Sequence, residues 1–297
     1  LIDEPDAHLH VILQDTIYSE LRSVAAAQNS QLIIATHSEV IINSVEPSEL
    51  CMLFDKPKIL TSAVERERLA DSLGVLSHTD IMLAIKAPGV LYVEDYTDID
   101  ILREWAKVLN HPALETLTTK LFWKKTVWEP RTRASGIKSR EHYEALKLIR
   151  PDLPGLELVD GDAHPEIEAT SISGSGLQRL RWKRYEIESY LVHPTSLARF
   201  VEREAGGAEA ARLHVADLQK HFEDVYPPAF LRDPLADNPL LLGTKARTEL
   251  IPPALTAAGL HGIPYTRYHE IAALMRPEEI HPEVVEKLDA IQKAFNL

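Results

Sequence analysis

The sequence predicts an α/β protein: two domains with parallel sheets flanked by helices, completed by a helical C-terminal part. Three observations carry this. Apolar strand-like runs alternate with helical stretches over residues 1–55, the pattern of parallel α/β structure. The same alternation starts afresh after Pro88-Gly89. Beyond about Leu197 the strands stop, and helical segments follow one another between proline-containing loops such as Tyr226-Pro227-Pro228.

Taken in order, Leu1-Ile2 leads as a strand, residues 11–28 form a helix and residues 31–35 a second strand. A short helix and a strand at 50–54 complete the first set. Residues 56–88 are a charged, mostly helical connector, broken by the Pro88-Gly89 pair. Residues 1–88 and 89–297 are therefore expected to be separate domains, and 297 residues accommodate about two. In the second domain, residues 89–93 are a short apolar strand and 98–109 an amphipathic helix. A helix at 139–149 precedes a further strand at 156–159.

Hydrophobic content of 45% and charged content of 26% suit an ordinary globular core. No apolar run approaches membrane-spanning length, so a soluble chain with no membrane partner is expected. The lone Cys51 excludes an internal disulfide and fits a reducing cytoplasm. The chain opens on Leu, in a segment without signal-peptide character, and is expected to be a fragment of something longer. A net charge of -13 argues against non-specific coating of nucleic acid. Clustered carboxylates that hold metal ions are compatible with that total.

The opening stretch LIDEPDAHLH carries the first candidate site. Two apolar residues deliver Asp3 and Glu4 at a strand end, where Asp3 would hold the water shell of Mg²⁺ and Glu4 would polarise an attacking water. Further on, QLIIATHS delivers His37 at the end of a second buried strand, placed to contact a γ-phosphate. The pair of motifs, in this order and with a helix between, resembles the Walker B and switch-histidine segments of the ABC-type ATPases. The DEP-x-x-x-LH form is nearest to the DNA-repair and phage-defence branches of that family. The resemblance implies that Asp6 sits in a loop facing a partner's ATP site, and that the full-length protein is a homodimer that binds ATP. No GxxxxGK[ST] phosphate loop occurs in the sequence, so this chain alone is expected neither to hold ATP tightly nor to hydrolyse it.

The second candidate site is a set of acids. VLYVEDYTDIDIL puts Glu94 at a strand end and Asp98 in the first turn of the next helix, where helix capping would use the same residues. In LELVDGDAH, strand alternation puts Asp160 and Asp162 on one face, and Gly161 lets the backbone bend closely. Two like charges so close call for a cation, and hard oxygen ligands suit Mg²⁺ or Mn²⁺ rather than zinc. In RWKRYEIESYLV, read as a strand, Glu186 and Glu188 share a face; Glu186 also fits a solvated ion pair, while Glu188 leads into the apolar Tyr190-Leu191-Val192.

A strand ending in Glu, followed by DxD on a later strand, resembles the Toprim fold. Joined to the ATPase segment and followed by R-x-E-I-E-S-Y-L, the chain resembles the OLD (overcoming lysogenisation defect) family of ATP-dependent nucleases. That resemblance implies metal ligands at Glu94, Asp98, Asp160, Asp162 and Glu188, with Glu186 a further candidate. It implies an assisting lysine, for which Lys245 in LLGTKARTEL is the best match and Lys220 the alternative. The sequence departs from many Toprim proteins at Asp95, where they carry glycine.

The activity so implied is endonucleolytic cleavage or nicking of DNA by two divalent ions, Mg²⁺ or Mn²⁺, regulated by ATP in the full-length protein. Glu94, Asp160, Asp162 and Lys245 would be its catalytic residues. A DNA path is expected over the densest basic stretch, which contains Lys124, Lys125, Arg131 and Arg133 interleaved with Trp123 and Trp128. Two rivals remain: a non-catalytic, ATP-switched DNA-binding or assembly module, and an RNA-directed or primase-like Toprim enzyme.

Overall fold

The structure, a computed structural model, describes residues 1–53, 57–126, 137–161 and 170–295. The chain divides into two compact units, one of Leu1–Lys86 with Arg140–Leu153 and one of Ala87–Ser139 with Pro154–Leu297. The α/β class and the helical C-terminal part are as the sequence predicts. No helix among the described residues is long and apolar enough to cross a membrane.

In the first unit, β1 (Ile2–Asp3) and β2 (Ile34–Ala35) pair in parallel, with Asp3 opposite Ala35. The helix Val11–Ala27 connects them, and Ser38 caps the next helix, Glu39–Ser44, by accepting a hydrogen bond from the Ile41 amide. The strand expected at 50–54 shortens to β3 (Cys51–Met52) and pairs antiparallel with β4 (Lys58–Ile59), rather than extending a parallel sheet. So few residues separate β3 from β4 that a hairpin is the only connection available; a parallel crossover needs a dozen or more. The connector then supplies the helices Ala63–Val75 and His78–Lys86. The helix Ser139–Ile149 packs within this unit: Arg150 donates to the Ala84 carbonyl at 3.1 Å, and the His142 ring lies 3.5 Å from the Asp80 carboxylate.

The second unit is built on a five-stranded sheet. It comprises β5 (Val90–Val93), β6 (Phe122–Lys125), β7 (Gly155–Val159), β8 (Thr170–Ile172) and β9 (Gln178–Arg181), in the order β6-β5-β7-β9-β8. All neighbours run parallel except β8, which returns antiparallel along the edge. Every residue of β5 and β7 is buried, as expected for central strands covered on both faces. Leu91, Val93, Leu156 and Leu158 share one core with Ile99, Leu102 and Trp105 of the helix Tyr96–Val108 and with the C-terminal helices.

From β5 the chain moves out to β6 on one side; from β6 it crosses back to β7 on the other. Connections that leave neighbouring parallel strands in opposite directions open a crevice at their carboxyl ends. Glu94 follows β5 and Asp160 follows β7, so both stand at that crevice.

Candidate acidic centre

The crevice is closed from two sides by specific backbone contacts. The Asp160 amide donates to Glu94 Oε1 at 2.8 Å, tying the two strand ends together. Asp160 Oδ1 accepts from the Ile187 amide at 3.3 Å, which brings in the segment after β9. Gly161 makes this possible. A Cβ there would lie 2.2 Å from the Arg184 carbonyl oxygen and 2.5 Å from that of Trp182. The glycine is thus required by the backbone of residues 182–184, a different reason from the bend around a ligand expected of it.

The segment carrying Glu186 and Glu188 is not a strand. β9 ends at Arg181, and Ile187–Leu191 is a 3-10 helix whose turn closes when the Glu186 amide donates to Ser189 Oγ at 3.3 Å. The buried Arg184 anchors it, donating to the carbonyls of Ser189 and Leu235. Strand alternation therefore does not apply, yet both glutamates are buried, Glu188 to 1% exposure and Glu186 to 3%.

Asp98 and Asp95 form a capping box at the start of the helix Tyr96–Val108, with Asp98 Oδ2 accepting from the Asp95 amide at 3.0 Å. The capping role considered for Asp98 is thus realised, and its carboxylate also faces the acids. Burial first, and the Glu188 charge second, push Asp98 well above the usual carboxylate range. Asp160 is likewise pushed well up, by burial and then by Glu94, Asp98, Glu188 and Glu186. Glu186 is pushed up to about 7 by burial and then by Glu188, against the opposing pull of an amide hydrogen bond and of Lys245 and Arg247. Carboxyls that raise one another in this way share one desolvated volume.

Arg247 is the residue that sequence reasoning missed. It stands in the π-helical turn Ala246–Leu250. Its Nε donates to Glu188 Oε1 at 2.7 Å and its Nη1 to Asp95 Oδ2 at 2.9 Å, while its own amide donates to Glu186 Oε1 at 2.5 Å. The guanidinium stacks on the Tyr265 ring, 4.7 Å from the centroid. Burial works against its charge, but the surrounding carboxylates hold its pKa above the ordinary value. No spacing rule singles out the second cation of a Lys-Ala-Arg run; only the turn geometry does. Lys245, two residues earlier, caps this turn from an exposed position and acts on Glu186 through its charge. Lys220 is exposed on the helix Ala208–Val225.

Among the described residues, no group of three His, Cys, Asp or Glu side chains is closed around one ion position. Asp162, an expected ligand, lies outside the described residues. The donor set nevertheless fits a hard cation: the acids are oxygen donors that repel one another, and Glu188 Oε2 is buried with no hydrogen-bond partner among the described residues.

On the edge strand β6, Lys124 and Lys125 are adjacent and so point to opposite faces. Lys125 lies 3.6 Å from Asp95, beside the acidic centre, and Lys124 stands over the Phe122 ring. Trp123 is half-buried against the core. Arg131, Arg133 and Trp128 lie outside the described residues.

In the first unit, Glu4 and His37 meet at the ends of β1 and β2. The His37 ring is 3.3 Å from the Glu4 carboxylate, and the Glu4 amide donates to the Ala35 carbonyl at 2.8 Å. Asp3 is exposed at the end of β1. Asp6, which the resemblance puts in a loop facing a partner's ATP site, is buried in this chain and accepts a 2.6 Å hydrogen bond from the Thr36 hydroxyl, which in turn accepts from the Ser38 amide.

One comparison with known proteins bears directly on this first unit. Residues 1–43 match the family described as "AAA domain, putative AbiEii toxin, Type IV TA system". That stretch is thus similar to an ATPase-type domain. The chain is also 34% identical over 92 residues to protein ea59 of Escherichia phage lambda. That match covers 30% of this chain and 17% of the phage protein, well under two thirds of its length. No solved structure gives a significant match.

Proposed function

We propose that the second unit is a Toprim-type nuclease domain of the OLD kind, spanning residues 89–297 and cleaving DNA phosphodiesters with divalent ions. One observation carries this reading: Glu94, Asp98, Asp160, Glu186 and Glu188 come from three separate segments and converge at the carboxyl ends of adjacent parallel strands. A fold that only needed solubility would not bury this many carboxylates where they raise one another's pKa. Glu94, Asp98, Asp160 and Glu188 would hold the ions, with Glu186 and Asp162 as further ligands. Bound there, Mg²⁺ or Mn²⁺ would supply a metal-activated water and charge neutralisation at the leaving oxygen. This chain's own part is to fix those oxygens in place and to bring Lys245 within reach of the developing phosphate charge. Lys124 and Lys125, with Arg131 and Arg133, are the candidate phosphate contacts of a DNA strand passing the β6 edge.

The first unit, on this reading, is part of an ABC-type ATPase in which Asp3 and Glu4 serve a Mg²⁺–nucleotide and His37 senses its γ-phosphate. The adjacency of Glu4 and His37 supports it. ATP binding, dimerisation and control of cleavage belong to the full-length protein.

A second reading has an observation of its own. Arg247 ion-pairs with Glu188 and Asp95, as it would if the acids formed only a structural network in a DNA-binding or assembly module. Plasmid nicking in Mg²⁺ and in Mn²⁺ separates the two. The nuclease reading expects nicking by the wild type that falls at least roughly a hundredfold in Asp160→Asn, together with loss of the stabilisation the ions give the wild type. Asn keeps the Oδ1 acceptor used by Ile187, so the fold is expected to survive. Undiminished nicking by Asp160→Asn, or none by the wild type in either ion, overturns the assignment.

A further inference from the structure

Arg247 raises a question that the metal reading leaves open. Among the described residues, six carboxylates line or border the centre, namely Glu94, Asp95, Asp98, Asp160, Glu186 and Glu188, and the Arg247 guanidinium stands among them. Its position is fixed from several directions. The Tyr265 ring lies beneath it, the Tyr268 hydroxyl donates to its carbonyl at 3.3 Å, and its amide holds Glu186. The side chain then spans two segments distant in sequence, Asp95 at the start of one helix and Glu188 in the 3-10 helix.

That span has a chemical logic. Arginine is always protonated, and its planar fork satisfies two carboxylates at once, which lysine's point charge does not. Buried acids without a counter-charge would destabilise the folded chain strongly. Yet the guanidinium leaves the centre under-compensated. It meets Glu188 through Oε1 alone, while Oε2 of the same carboxylate is buried and has no hydrogen-bond partner among the described residues. Lys125 and Lys245 stand only at the margin, the one beside Asp95 and the other exposed. The arrangement holds the acids together without closing them to a further cation.

We propose that Arg247 is the resident counter-ion of the acidic centre, a positioning residue that keeps Glu188 and Asp95 in place without metal and competes with the divalent ion for Glu188. This rests on the metal-centre reading above. It implies that metal affinity is held below what the carboxylates alone would give, because a fixed positive charge opposes every ion that enters. The same charge is then available, once Glu188 engages an ion, to face an incoming phosphate.

The test reads binding rather than cleavage. Mn²⁺ is titrated calorimetrically into the metal-stripped chain, as wild type, Arg247→Gln and Arg247→Lys. Arg247→Gln is expected to bind Mn²⁺ about tenfold more tightly, the effect of deleting one nearby unit charge even when it is screened as in water. Its metal-free form is expected to melt lower than the wild type, and Arg247→Lys, which keeps the charge, to stay within about threefold of wild-type affinity. Equal or weaker Mn²⁺ binding by Arg247→Gln overturns the proposal. Should that variant not fold, the wild type suffices: Mg²⁺ saturation is expected to shift the Nε–H resonance of Arg247 and speed its exchange as Glu188 is drawn away. An unmoved resonance at saturation overturns the proposal. A wild type that binds neither ion overturns the metal-centre reading itself, whereas normal wild-type binding with an unaltered variant removes only the role given to Arg247.

Discussion

Among single residues, Glu186 offers the cleanest view of the charge stored in the centre. Its carboxyl is pushed up to about 7, from an ordinary 4.5, chiefly by burial and then by Glu188. A folded-state pKa above the unfolded one means that the native chain binds the extra proton. Stability is therefore fully helped below the unfolded value, and that help is lost as pH rises through about 7. Other groups act in the same range with the opposite sign. Burial pushes His193 and His281 below the ordinary histidine value, so they weaken the fold as the unfolded chain takes up their protons. The useful quantity is thus a difference between variants. Glu186→Gln, which mimics the protonated carboxyl and keeps the acceptor for the Arg247 amide, is expected to melt above the metal-free wild type at pH 8. The gap should shrink toward zero as pH falls to about 5, because both proteins are then neutral at this position. A melting difference independent of pH would show that Glu186 does not carry the charge assigned to it. The acids themselves were legible in the sequence because apolar runs ended on them. Arg247 was not, since a lone arginine in a charged run resembles any surface cation until the turn that buries it is known.

At the level of elements, periodicity served the second unit well and the segment after β9 poorly. β5, β7 and the helix Tyr96–Val108 fall, to within two residues, where apolar runs and helical spacing put them. The stretch RWKRYEIESYLV alternates like a strand, but Ser189 captures the Glu186 amide and Arg184 captures the Ser189 carbonyl, and these local hydrogen bonds turn it into a 3-10 helix. Side-chain competition of this kind leaves no periodic trace. The join between β7 and that turn rests on Gly161, and it yields a sharp expectation. Gly161→Ala places a methyl group against the carbonyl oxygens of Arg184 and Trp182, both backbone atoms that cannot swing aside. The change should cost about 2–3 kcal/mol, at the upper end of overpacking penalties, and should separate Asp160 from Ile187. Thermal denaturation together with Mn²⁺ titration checks both parts. Wild-type melting with wild-type ion binding would mean that the two segments are not packed as closely as the glycine implies.

On the scale of the whole chain, the sequence suggests a cut at 88/89, whereas the packing of one helix crosses that point. Ser139–Ile149 lies between β6 and β7 in sequence, yet its compact unit is that of Leu1–Lys86. The reason is visible in its contacts. His142 is 1% exposed and faces Asp80, itself 3% exposed. Arg150 holds the Ala84 carbonyl, and Glu141, Glu144, Ala145 and Leu148 line a groove of about 550 Å³ together with Arg68, Asp71, Ser72 and Val75. Hydrophobic periodicity announces that such a helix has an apolar face but never says which sheet or helix will cover it, so the sequence alone could not place it. A chain beginning at Ala87 would keep all the acids of the centre and lose the partners of this helix. Its melting temperature is expected to fall by roughly 5–10 °C relative to the corresponding transition of the whole chain, on a scale of about 2–4 °C per kcal/mol. It should also self-associate, since the buried Ala145 and the rest of the helix face that met the helices before residue 87 become exposed. Mn²⁺ binding by whatever fraction remains folded should persist, because every candidate ligand lies in the second unit. Scanning calorimetry with light scattering provides the measurement. A monomeric fragment melting like the whole chain would place the structural boundary at Ala87 and leave Ser139–Ile149 independent of the first unit.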